Sequence, residues 1–348
     1  MFLCQPLLEV LAGRGIEDID AFLKEPTWND LPDTFSIPSM EKATARVLRG
    51  IRGGERITIF GDYDCDGVLG AHILRSVLSA LGAPARTFLP HRDDGYGLSP
   101  SMVHRFSCTG TDLLITVDNG INARGAVRLA HRLGIDVVVI DHHRIQEQAE
   151  TTAVWSDAFC GAGLAAMFTW ALALKAGWND TKVERLLSGC SQYAAIASIA
   201  DCVPLLNGTR TLARLGLGEL SRSRHRGLQE LLKMACTDPS QPDSRDVAFG
   251  VAPRTRSRFK IHPSRFDPDG CLILSLPCPA IERVQRDEIA RFFAVLDRSG
   301  VPAIVPGVTS PIRSSGTSQG RMRPAAHQNT VQGQPEKTET ASSTSTGA

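Results

Sequence analysis

The stretch Ile57-Thr58-Ile59-Phe60-Gly61-Asp62-Tyr63-Asp64-Cys65-Asp66-Gly67 places three aspartates directly after a short apolar run. The run has the length and β-branched content of a buried strand, and helical periodicity follows from Val68 to Leu81. Three carboxylates within five residues repel one another strongly unless cations lie between them. A turn that only capped the next helix would need one of these acids. The stretch therefore predicts a strand, a metal-binding turn and a helix.

Further apolar runs continue this pattern along the chain. Arg86–Leu89, Leu113–Val117 and Val137–Ile140 resemble short strands, and Ala123–Leu133 has the periodicity of a helix. Continuous apolar strands separated by helices predict a parallel sheet that is covered on both faces, in an α/β domain over residues 51–205. Ligands of such sheets bind beyond the carboxyl ends of the strands. The residues that follow each run are therefore the candidates for chemistry.

Charged and metal-ligating residues stand at these positions. Asp118 follows the run Leu113–Val117 in an Asp-Asn-Gly sequence that by itself predicts a turn equally well, and Asp141-His142-His143 follows the run Val137–Ile140. Asp201 ends the apolar helix Tyr193–Ala200, where the helix dipole disfavours an anion and a cation would compensate. Each signal is weak alone, but their order along the chain predicts a carboxylate and imidazole metal site.

Composition bounds the class of protein. The 348 residues are 42% hydrophobic, with a formal net charge of +1 that indicates no particular partner. The nine cysteines include no CxxC pair, which is typical of a reducing compartment. We find neither a secretory leader nor a run of about 18 apolar residues. We therefore expect a cytoplasmic protein without a membrane segment.

Flanking segments divide the rest of the chain. Residues 1–50 are expected to form an N-terminal helical cap ending in an amphipathic helix, Met40–Ile51, and residues 206–258 a helical connector. Residues 210–265 contain twelve Lys or Arg against five Asp or Glu, which could face a phosphate backbone. Residues 259–300 are an atypical segment of unknown role, and 301–348 predict a disordered tail.

The ordered motifs resemble the DHH phosphoesterase superfamily and, within it, the RecJ family of single-strand-specific exonucleases. The resemblance rests on GDYDCDG at 61–67, TVDNG at 116–120, VIDHH at 139–143, CGAGLAA at 160–166, SIADCVPL at 198–205 and FGVAPR at 249–254. Some superfamily members have a histidine ligand four residues before Asp64, where this chain has Phe60. That difference favours the RecJ family over the pyrophosphatase branch.

The resemblance implies roles for individual residues and two divalent ions, Mn²⁺ or Mg²⁺. Asp64 and Asp66 would bind opposite ions, Asp118 would bridge them, and His142 with Asp201 would complete one coordination shell. The supporting roles implied are contact with the scissile phosphate for His143, support of the ligands for Asp62 and Asp141, and substrate binding for His91, Arg92 and Arg254.

The resemblance weakens after Arg254. The family continues with an Asn-Ala-Ala-Gly-Arg stretch and a small substrate domain with a Gly-Gly-His signature, whereas this chain has Thr255–Phe259 and no such signature. The leading hypothesis is a 5′-to-3′ exonuclease on single-stranded DNA in recombination and repair. The alternatives are a small-substrate phosphoesterase, which the missing domain favours, and a non-catalytic replication scaffold, which the complete ligand set opposes. Protein partners are not predicted.

Overall fold

Five parallel strands form one sheet in the computed structural model, which describes residues 5–90, 94–236 and 238–255. The strands are β1 (Ile57–Gly61), β2 (Arg86–Phe88), β3 (Leu113–Val117), β4 (Asp136–Asp141) and β5 (Thr152–Trp155), in the order β2-β1-β3-β4-β5. The register pairs Gly61 with Val117 and Val117 with Ile140. The carboxyl ends of β1, β3 and β4 therefore lie side by side.

Helices connect and flank the strands. Before β1 come α1 (Gln5–Gly13), α2 (Ile19–Leu23), two short 3₁₀ turns (Trp28–Asp30 and Thr34–Ser36) and α3 (Met40–Arg52). Between strands lie α4 (Cys65–Ala80), α5 (Pro100–Cys108) and α6 (Arg124–Arg132). After β5 come α7 (Gly161–Lys175), α8 (Asp180–Ala200), α9 (Asn207–Leu220), α10 (Arg226–Ala235), a π-helical turn (Asp246–Val251) and a 3₁₀ turn (Ala252–Arg254).

Both faces of the sheet are covered, because side chains alternate along each strand. Ile59 and Ile115 face the larger core, which α3, α4, α7 and α8 complete. Phe60, Leu114 and Val139 face the smaller core, which α5 and α6 complete. All of these side chains are fully buried, and burial of one such side chain contributes about 1.5–3 kcal/mol.

The structure confirms the predicted parallel α/β class and the predicted strands to within one residue at either end. It adds β5, which was not predicted, and it extends the helix expected at Tyr193–Ala200 back to Asp180. The amphipathic helix expected at residues 40–51 is α3. The proposed domain boundaries remain a prediction.

Some expectations fall outside the described residues. These are the predicted substrate contacts His91 and Arg92, the atypical segment 259–300, and residues 301–348, for which the sequence predicts a disordered tail. Within the described ranges, none of the helices combines the length and apolar character that a membrane crossing requires.

Candidate metal centre

The turn between β1 and α4 carries the first aspartates. Asp64 is the N-cap of α4, and its Oδ1 accepts a hydrogen bond from the Gly67 amide at 3.0 Å. Asp62 is buried, and its Oδ1 has no hydrogen-bond partner among the described residues. A side chain at Gly67 would collide with the Asp62 backbone, so this tight turn requires glycine. The turn thereby presents several carboxylates at the end of β1.

Asp118 lies where the chain leaves β3. Its φ of +62° is in the left-handed region, which is uncommon for a residue other than glycine and often marks a functional site. The Asp118 amide donates to the Ile140 carbonyl at 3.0 Å, which ties this turn to β4. Its buried Oδ1 lies 3.1 Å from His142 Nε2. The strained turn therefore aims the carboxylate at the imidazole that follows the neighbouring strand.

Asp141 organises the segment after β4. Its Oδ1 accepts hydrogen bonds from the His142 amide at 2.8 Å, the His143 amide at 3.2 Å and His143 Nδ1 at 2.8 Å. Its Oδ2 accepts from the Ile121 amide at 2.9 Å. Although burial acts to raise it, the bonds from His143 and Ile121 lower the pKa of Asp141. An ionised Asp141 thus holds the backbone of both histidines and the imidazole ring of His143.

The N-terminus of α7 holds Asp66. The amides of Gly161 and Ala162 donate to the two oxygens of Asp66, at 2.6 and 2.7 Å. Helix N-termini favour anions because their amides lack intrahelical partners. A β-carbon on Gly161 would lie 2.6 Å from the Asp118 Cβ and 3.0 Å from Asp66 Oδ2. Glycine at 161 therefore lets the helix approach both carboxylates.

His142 lies at the centre of the site. Its Nε2 is 3.6 Å from Asp66 Oδ2, 3.1 Å from Asp118 Oδ1 and 3.6 Å from Asp201 Oδ2. Asp201 is the C-cap of α8 and is partly exposed. Helix α8 thus ends just before Asp201, whose carboxylate lies beside residues from three other parts of the fold.

Three sets of these side chains could each hold a metal ion, since the ligand atoms of each set lie within 4.8 Å of one another. The sets are Asp66, His142 and Asp201; Asp62, Asp64 and Asp118; and Asp118, His142 and His143. Every predicted metal ligand is present in at least one set. Asp62 and His143 also belong to sets, although the sequence predicted other roles for them. The assignment of individual ligands remains a prediction.

The carboxylates of the site are buried and lie close together, which changes their pKa values. Burial and the carboxylates of Asp66 and Asp64 raise the pKa of Asp118 well above its ordinary value. Burial also raises the pKa of Asp66, that of Asp62 to about 7 and that of Asp201 to about 6. These carboxylates resist being ionised together unless a cation lies between them. Carboxylate and imidazole ligands, with a buried Asp62 oxygen that has no hydrogen-bond partner among the described residues, suit divalent cations.

Two aromatic residues that the sequence did not predict contact His143. The Tyr96 hydroxyl lies 2.8 Å from His143 Nε2, and Trp155 Nε1 donates to the His143 carbonyl at 2.8 Å. Tyr96 follows closely in sequence after His91 and Arg92, the predicted substrate contacts, which lie outside the described residues. Arg254 donates to the Gly250 carbonyl at 2.7 Å, and its substrate role remains a prediction.

Comparison with known proteins finds a family that part of this chain matches. Residues 56–197 match the DHH family, N-terminal domain. The single-stranded-DNA-specific exonuclease RecJ of Bacillus subtilis is 33% identical over 256 residues, which are 71% of this chain and 31% of that protein. The chain thus spans about a third of the length of this relative.

Solved structures give the same grouping. A crystal structure of exonuclease RecJ bound to manganese is 32% identical, with a TM-score of 0.58, over 65% of this chain and 57% of that one. RecJ from Thermus thermophilus in complex with Mn²⁺ is 29% identical, with a TM-score of 0.59, over 70% of this chain and 35% of that one. Residues 56–197 therefore match the N-terminal domain of the DHH family, within a longer region that is similar to the RecJ exonucleases.

Proposed function

We propose that this chain is a metal-dependent phosphodiesterase that removes nucleotides from the 5′ end of single-stranded DNA, in the cytoplasm and in the service of recombination and repair. The observation that carries the proposal is the convergence of Asp66, Asp118, Asp201 and His142 beside the carboxyl ends of parallel strands. The RecJ relatives that share this fold are named as exonucleases on single-stranded DNA. Fold and site together support this reaction.

The cofactor in the proposal is a pair of divalent ions, Mn²⁺ or Mg²⁺, the ions with which RecJ relatives have been crystallised. Asp64, Asp66, Asp118, His142 and Asp201 would hold them. The chemistry that such ions supply when bound is polarisation of the phosphate and activation of water at neutral pH. No nucleophile from the protein is then needed.

The chain's own residues hold the side chains of the proposed site in position. The α7 amides hold Asp66 in place, and Asp141 fixes the ring of His143 through Nδ1. The hydrogen bond from His143 to Asp141 raises the pKa of His143, so this side chain is suited to present a proton to a phosphate oxygen. Asp118 belongs to one possible ligand set with the turn after β1 and to another with His142, so it would be the ligand that two ions share.

The test compares two acids at opposite ends of β3. Asp118→Asn removes the negative charge of a proposed ligand, whereas Asp112→Asn removes that of an acid that pairs with Arg56 at the other end of the strand. We expect Mn²⁺-dependent release of 5′-labelled nucleotides by the wild type and by Asp112→Asn. The Asp118→Asn variant should lose at least about a hundredfold in rate.

Other results would redirect the proposal. Preferential release from 3′-labelled DNA would overturn the polarity. If long DNA stays intact while dinucleotides or a nucleoside bisphosphate are hydrolysed, the chain is a small-substrate phosphoesterase. If a folded protein with bound Mn²⁺ cuts none of these, the enzyme hypothesis fails and the scaffold alternative stands.

A further inference from the structure

The imidazole of His143 has partners on both nitrogens. Its Nδ1 lies 2.8 Å from Asp141 Oδ1, and its Nε2 lies 2.8 Å from the Tyr96 hydroxyl. The two rings meet edge to face, with centroids 5.6 Å apart. Each ring nitrogen makes one hydrogen bond, as donor or as acceptor. Tyr96 therefore occupies the nitrogen of His143 that Asp141 leaves free.

Tyr96 is held loosely compared with Asp141. The tyrosine is 57% exposed, whereas Asp141 is 1% exposed. The Tyr96 hydroxyl has two further contacts, and both are longer, at 3.3 Å to His143 Nδ1 and 3.4 Å to the Asp118 carbonyl. Gly95 and Gly97 flank it with φ of +89° and +72°, and nothing lies within 4 Å of a β-carbon position on Gly95. Glycines in such conformations let the backbone turn at low cost.

We infer that Tyr96 is a displaceable cover on His143, which occupies Nε2 until a phosphate oxygen of single-stranded DNA takes its place. The inference rests on the proposed function, in which His143 contacts the scissile phosphate. Substrate binding must break the bond between Tyr96 and His143 before the phosphate can reach the ring. Tyr96 thus lowers the affinity for any ligand that engages His143, and it excludes ligands too weakly bound to displace it.

The first test removes only the hydroxyl. Tyr96→Phe keeps the ring and frees His143 Nε2, so the variant should bind a phosphorothioate oligothymidylate about two- to tenfold more tightly, the range for one neutral hydrogen bond. The matched control is Tyr193→Phe, which changes a buried tyrosine that packs against His72 and His225. The measurement is fluorescence anisotropy of a labelled oligonucleotide with Mg²⁺ present. The control should keep the wild-type Kd.

The second test observes the contact directly and does not depend on catalysis. The chain contains three tyrosines, so 3-fluorotyrosine labelling gives few ¹⁹F resonances, and Tyr96→Phe identifies that of Tyr96. We expect this resonance to move in His143→Gln, and to move again when the phosphorothioate oligonucleotide binds the wild type. The resonance of Tyr193 should move in neither case.

Three results would settle whether the cover exists. Weaker oligonucleotide binding by Tyr96→Phe would mean that the hydroxyl assists the substrate, and the cover would be rejected. A Tyr96 resonance that ignores either His143→Gln or the oligonucleotide would reject it as well. If the oligonucleotide binds and displaces Tyr96 but no DNA is hydrolysed, the cover stands and the exonuclease proposal fails.

Discussion

The two ends of the parallel strands hold their carboxylates in opposite ways. At the amino ends of the strands, Asp112 forms a two-pronged pair with Arg56, with both distances 2.9 Å, and Asp136 lies 2.5 Å from Arg46. At the carboxyl ends, within the described ranges, the ion-pair partners of Asp66, Asp118, Asp141 and Asp201 are the imidazoles of His142 and His143.

The difference teaches where charge serves stability and where it serves function. Pairing lowers the pKa of Asp112 to about 2, whereas burial raises that of Asp62 to about 7. A fold that needed only stability would not crowd buried like charges, so the carboxyl ends of the strands indicate a site that awaits cations. Substitutions at the two ends should therefore have different consequences.

Gly161→Ala should have a large effect on the rate, comparable with that of Asp118→Asn, because it disturbs two carboxylates at once. The new β-carbon would meet Asp118 and Asp66 at 2.6 and 3.0 Å, and displacement of reacting groups by about 1 Å can cost roughly a hundredfold in rate. The measurement is the Mn²⁺-dependent rate on single-stranded DNA. Gly125→Ala, in the first turn of α6 where space is open, is the control. Equal rates for the two variants would contradict the prediction.

Asp141→Asn should have the next largest effect. An asparagine cannot accept hydrogen bonds on both side-chain atoms, so either the Ile121 amide or the two histidines lose their acceptor. Loss of such support lowers metal affinity or activity by about 10- to 100-fold. Calorimetric titration with Mn²⁺ measures the metal affinity. Asp136→Asn, at the other end of β4, should bind Mn²⁺ like the wild type. A similar loss of Mn²⁺ affinity in Asp136→Asn would show that the two ends of the strands do not differ.

Asp62→Asn should have a smaller effect, on the melting temperature of the metal-free protein. The direction of that shift is the informative result. The folded protein binds a proton at Asp62 more tightly than the unfolded chain does, so metal-free stability falls as pH rises from about 4 to 7. In EDTA at pH 8 the variant should melt at least about 2 °C higher than the wild type, with little difference at pH 4.

Asp112→Asn should have the smallest effect, in the opposite direction. The lowered pKa of Asp112 stabilises the fold above pH 4, and that contribution is lost as pH falls toward 2. The variant should therefore melt slightly lower than the wild type at pH 8. Melting temperatures that shift in the same direction for Asp62→Asn and Asp112→Asn would show that the two ends of the strands do not differ.

Much of this arrangement could be predicted from the sequence. The strands β1, β3 and β4 are apolar along most of their length and each is followed by charged residues, so both the sheet and its functional edge were predictable from Gly61, Asp118 and Asp141. Asp201 was predictable because an acid at a helix C-terminus needs a cation.

Other parts could not be predicted, for physical reasons. Helix α7 is buried on nearly all sides, so it lacks the polar face that reveals a helix, and the capture of Asp66 by its amides leaves no pattern in residue types. Strand β5 has only four residues, at the end of a long polar stretch. Tyr96 reaches His143 only because of how its loop folds.

The position of Asp201 at the end of α8 links the site to the completion of folding. The first aspartates of the site follow β1, but the last one arrives only after α6, β4, β5, α7 and α8 have been synthesised beyond β3. A nascent chain that has not yet added α8 would hold an incomplete set of ligands. Ions that bind the native state alone would then stabilise only the finished domain, which makes metal uptake a natural readout of correct assembly.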